Sequence, residues 1–144
     1  SEAMRCSEVR AKIVEKIRSI TPDTKTSDQD IFKVVDIGYR EFQGGVGRTC
    51  TVLVGVPPTR ANMHLPQDLY TTTFEMMVSY SDYPTVTDRI GDDGEKLSQA
   101  LESIPGENAD IVQVSLAGSG VEELEGHINA IYSINVDYTL DSGV

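Results

Sequence analysis

Cys50 and His64 are the pair of residues best suited to chemistry, a thiol and an imidazole fourteen positions apart. Brought within hydrogen-bond reach, they would make a nucleophile and its base, as in a thiol hydrolase. Cys50, however, lies on the apolar alternation of the run Thr49-Cys-Thr-Val-Leu-Val-Gly-Val56, where it reads as core. His127, the other histidine, begins a strand-like run and needs no chemical role. Gly44-Gly-Val-Gly-Arg-Thr49 has the outward look of a phosphate-binding loop. A P-loop requires Gly, four residues, then Gly-Lys-Ser/Thr, so that backbone amides and the lysine surround the phosphates. Here Phe42 stands where the first glycine belongs, Arg48 replaces the lysine, and β-branched residues follow where a helix should open. These glycines read as a turn. Asp92, Asp93 and Glu95 offer oxygen ligands without the further acids of an EF-hand loop, and read as acids at a helix N-terminus. Tyr80, Asp82 and Tyr83 form at most a stacking surface. Cys6 and Cys50 share no redox or metal spacing and are expected as free thiols in a reducing cytoplasm. No catalytic set, cofactor site or metal site is expected.

The elements that would hold these residues follow from periodicity. Val9, Ile13, Ile17 and Ile20 form one stripe of a helix over residues 7–20, with Ser7 as its cap and Thr21-Pro22 as its stop. Ile31–Ile37 is ambiguous between a short strand and a helical turn. Strands are expected over Thr49–Val56 and Tyr70–Tyr80. In the second, Tyr70, Phe74, Met76, Val78 and Tyr80 face one way and Thr71, Thr73, Glu75 and Ser79 the other. The polar stretch between them, about residues 57–69, is far longer than a tight hairpin needs and reads as a protruding arm. A second helix is expected within Thr87–Ile104, opening after Gly91 or Gly94 and ending at Pro105-Gly106. Ile111–Ala117 reads as a third strand with Val112, Val114 and Leu116 inward, and Val121–Gly126 as an acidic connector. The fourth strand is the most regular: Ile128, Ala130, Tyr132, Ile134, Val136, Tyr138 and Leu140 alternate with polar residues, with only Ile131 breaking the pattern. The expected fold is a single α+β domain over residues 1–144. Its sheet is antiparallel and four-stranded with two helices packed on one face, the order helix–strand–strand occurring twice.

Charge is unevenly spread along this chain of net charge −11. Residues 1–60 carry 10 Lys and Arg against 8 Asp and Glu, whereas residues 88–125 carry 2 against 10. Complementary ends of this kind can meet head to tail between copies. An acidic total argues against nucleic acid as a tightly held partner. No apolar run reaches the roughly 20 residues of a membrane helix, and no secretory signal pattern is visible.

The order of elements resembles the tail terminator (tail completion) proteins of long-tailed bacteriophages. The likeness is carried by an N-terminal amphipathic helix at Glu8–Ile20, containing Val-Arg-Ala-Lys-Ile-Val-Glu-Lys-Ile, and by the strand pair with its long loop at Thr49–Tyr80. The second helix at Asp93–Ile104 and the alternating terminal strand at Asn129–Leu140 complete it. The resemblance implies a small protomer that assembles into a hexameric ring in the host bacterial cytoplasm. In the virion tail, the ring would stop growth of the tail tube, face the head connector protein and let DNA pass an acidic lumen without specific binding. On that reading Arg10, Arg48 and Arg60 oppose Asp92, Asp93, Glu122 and Glu123 across subunits. The arm, with Thr59, Asn62, His64, Gln67 and Asp68, reaches a neighbour or the tube. The alternative is a cytoplasmic α+β adaptor that grips a protein partner with the same arm.

Overall fold

The computed structural model describes residues 4–20, 32–34, 48–60, 69–81 and 84–139. In chain order these form α1 (Cys6–Ser19), β1 (Lys33–Val34), β2 (Arg48–Arg60), β3 (Leu69–Ser81), α2 (Val86–Glu102), α3 (Ile104–Glu107), β4 (Ile111–Leu124) and β5 (His127–Thr139). The strands make one sheet in the order β1-β2-β3-β5-β4. The β2–β3, β3–β5 and β5–β4 pairs are antiparallel, so the four expected strands form an antiparallel sheet and the class is α+β. Lys33 and Val34 add a fifth, two-residue strand, parallel to β2. That resolves the ambiguous 31–37 stretch as strand where it is described.

Apolar alternation sets the core. On β3, Phe74, Met76, Val78 and Tyr80 are fully buried, and across the ladder Phe74 pairs with Ile134, Met76 with Tyr132 and Val78 with Ala130. Each large apolar side chain so buried contributes roughly 1.5–3 kcal/mol, and a one-residue slip would expose the whole row. Val9, Ile13, Val14 and Ile17 of α1 and Val86, Leu97 and Leu101 of α2 join the same apolar cluster. Helix α1 touches β1, β2 and α2, while α2 touches α1 and β4. An exposed ion pair, Lys16 Nζ to Glu107 Oε2 at 2.7 Å, links α1 to α3.

Five local expectations need correction. Helix α1 opens at Cys6, with Arg5 as N-cap, because Glu8 Oε1 accepts the Arg5 amide at 3.0 Å; Ser7 lies inside the first turn. Helix α2 starts at Val86, so Gly91, Asp92, Asp93, Gly94 and Glu95 are interior and Asp88 is the acid of the first turn. Strand β2 runs through Pro57 and Pro58 to Arg60, and Arg60 pairs with Tyr70. Two register irregularities, after Val54 and after Val56, take up the prolines, which cannot donate to a regular ladder. In β4 an irregularity between Ile111 and Gln113 turns Val112 outward, leaving Ile111 and Val114 as the buried residues. Finally, β4 continues through Gly118-Ser-Gly120 to Leu124, so the acidic connector is strand. Gly120, at φ +155°, sits at the bulge, and Gly126, at φ +83°, closes the turn into β5.

Candidate functional site

The residues singled out from the sequence fall in three places. Arg10, on α1, donates from Nε to the Val52 carbonyl at 2.8 Å and so ties its helix to β2. Thr59 and Arg60 are exposed at the end of β2, and the Arg60 guanidinium lies 5.9 Å from the centre of the Tyr70 ring. The Arg48 backbone opens β2, opposite Tyr80. At the other edge of the sheet, Glu122 and Glu123 are exposed on β4. Asn129 Nδ2 donates to Glu122 Oε1 at 3.4 Å. Asp92 is exposed on α2. Asn62, His64, Gln67 and Asp68 lie outside the described residues.

Asp93 leaves the set of surface acids. It is fully buried, and Tyr80 Oη donates to Asp93 Oδ2 at 3.0 Å. Buried carboxylates persist where donors meet them, and Tyr80 is such a donor. Beside this pair, an ideal Cβ on Gly94 would stand 3.1 Å from Tyr132 Oη, so glycine permits α2 to approach the sheet there. The Tyr132 phenol is pushed up to about 12, by burial first, then by the charge of Asp93 and of Cys50. Burial likewise pushes the Cys50 thiol up to about 12, which keeps it protonated and poorly nucleophilic at neutral pH. Tyr138 is also raised, by burial first and then by the neighbouring Cys6. Both cysteines are free. Among the described residues no group of three or more His, Cys, Asp or Glu is placed to hold a metal ion.

A polar row crosses the face of the sheet opposite Tyr80 and Tyr132. Register aligns Thr49 with Ser79, Ser79 with Asn129 and Asn129 with Glu122. Thr49, Ser79 and Asn129 are buried, and Thr49 Oγ1, Ser79 Oγ and Asn129 Oδ1 find no partner among the described residues. Ser79 was expected on a polar strand face, and it is polar but fully buried.

Sequence reasoning missed one feature altogether. A groove of about 430 Å³ runs between α2 and β4, lined by Gly94, Glu95, Ser98, Gln99, Leu116, Gly118 and Tyr132. Its residues come from three elements, α2, β4 and β5, so only the glycines, which mark places without side chains, could have hinted at it. Matched against protein-family models and against curated proteins, the chain finds no counterpart in either. No helix of the described residues is long and apolar enough to cross a membrane.

Proposed function

We propose that this protein is a structural assembly protein whose copies associate head to tail into a ring, the role played by phage tail terminators in capping the tail tube and meeting the head connector. The observation that carries this reading is the placement of charge on a single sheet. Helix α1, with Arg10, Lys12 and Arg18 beside Glu8 and Glu15, lies against β1, β2 and α2. At the opposite edge, β4 carries Glu122 and Glu123 and turns at Glu125. Opposite edges of opposite sign suit a heterologous contact, which closes into a ring when the rotation between copies allows. Two helices covering one face, in a helix–strand–strand order used twice, would leave the other face for neighbours or for the lumen. An acidic lumen repels DNA and lets it pass. The burial of Cys50 removes the best nucleophile from reach of a substrate and supports a non-enzymatic role.

Native mass measurement and negative-stain imaging test the reading. A discrete ring is expected, hexameric if the terminator likeness holds. Reversing Lys12 and Arg18 to Glu should dissociate it, and adding Glu122→Lys and Glu123→Lys should restore it. A strict monomer at every protein and salt concentration sinks the proposal. The adaptor reading is favoured by one observation, the groove beside the outer edge of β4.

A further inference from the structure

We infer that the outer edge of β4, together with the groove beneath α2, is a strand-addition site for an extended basic segment of another polypeptide. Strand β4 ends the sheet, and among the described residues no strand pairs with its outer side. The Leu116 amide points away from β5 and donates to Glu102 Oε2 at 3.3 Å. A side-chain carboxylate thus occupies the position of the carbonyl that a further strand would supply. By the alternation of an antiparallel ladder, Val114 turns its amide and carbonyl to the same side. An added strand would gain backbone hydrogen bonds there, and every second side chain would point toward α2. The groove lies at that spot: Leu116 and Tyr132 give it an apolar floor, Gly94 and Gly118 leave space, and Ser98 and Gln99 form its wall. Val112 and Val121, 51% and 62% exposed, flank this stretch of β4 with apolar surface.

Charge selects the occupant. Glu95 and Glu102 border the groove, and Glu123 follows along the strand on the same side of the sheet, all exposed. An acidic rim around a small apolar slot fits a segment that alternates Lys or Arg with an aliphatic residue. Blunting of an unused edge by a charged side chain would also place Glu102 at Leu116. The two roles differ in what a peptide does: a blunted edge stays empty, whereas a receptive one exchanges the carboxylate for a backbone carbonyl.

The probe is a fluorescent nine-residue peptide alternating lysine and valine, titrated by anisotropy into the full chain, with amide hydrogen exchange followed residue by residue. Binding is expected, with slowed exchange at Val114 and Leu116. N-methylation of alternate peptide amides should weaken it by about tenfold or more, because the backbone bonds are lost. Replacing the lysines by glutamates should abolish it. Ser98→Trp and Gln99→Trp, each filling the groove from the exposed side of α2, should weaken it at least about tenfold while leaving the thermal midpoint unchanged. Absence of binding, indifference to N-methylation, or protection appearing elsewhere on the chain overturns the assignment. So does concentration-dependent protection of Val114 and Leu116 without peptide, which would give the edge to a second copy.

Discussion

Tyr80 and Asp93 show how a single hydrogen bond can decide the role of a residue. Asp93 is an acid among acids in sequence, yet its carboxylate is fully buried and met by the Tyr80 hydroxyl. Tyr80→Phe keeps the ring and removes the donor, so it should cost about 1–3 kcal/mol in urea unfolding, the usual worth of a hydrogen bond to a charged group. Cys50 and Tyr132 make a second prediction, on pH. Both are raised in the folded chain, Cys50 from 9.0 and Tyr132 from 10.0, each to about 12. The unfolded chain therefore releases these protons first, and stability, complete below pH 9, should decline progressively from there toward pH 12. Cys50→Ala should flatten the first part of that decline, as read by the thermal midpoint across the alkaline range. Alternation alone marked Cys50 as core. Nothing local marked Asp93, because its partner lies on a strand thirteen residues earlier.

At the level of elements, glycines separate what propensity sees from what packing permits. Gly91 and Gly94 suggested a later start for α2, since glycine weakens a helix interior by about 1 kcal/mol relative to alanine. Both are helical, for different reasons. A Cβ on Gly91 meets nothing within 4 Å. Gly91→Ala should therefore stabilise the protein by roughly 0.5–1 kcal/mol in denaturant unfolding. Gly120 is the reverse case: its φ of +155° is one that side chains rarely adopt. Gly120→Ala should cost about 1–3 kcal/mol and loosen the end of β4, visible as faster amide exchange from Val121 to Leu124. The strands β3 and β5 were legible almost residue by residue, because a period of two broken only at Met77 and Ile131 declares a half-buried strand. Strand β4 was legible only to Ala117, because its two irregularities break that period and reverse which side chains face inward.

For the whole molecule, the proposed assembly depends on basic charge on α1 and acidic charge on β4. If association rests on half-buried Lys12 and exposed Arg18 meeting exposed Glu122 and Glu123, it must weaken with salt. The screening length shrinks from about 8 Å at physiological ionic strength to about 3 Å at 1 M. Oligomer mass should therefore fall between those conditions, and an oligomer indifferent to salt would point to an apolar contact. The ion pair from Lys16 to Glu107 lies within one protomer and is partly exposed, so its loss by Lys16→Ala should change stability by less than about 1 kcal/mol.

Composition and periodicity by themselves determined the α+β class, the antiparallel four-stranded sheet, the apolar stripe of α1 and the division of charge along the chain. These are readable because helix and strand repeats are local, and burial follows from them side chain by side chain. Tertiary structure alone decided the strand order, the burial of Asp93 under Tyr80, the polar row from Thr49 to Asn129 and the groove beside β4. Each joins residues from separate elements, and the distances between such elements are set by packing, which no local pattern records.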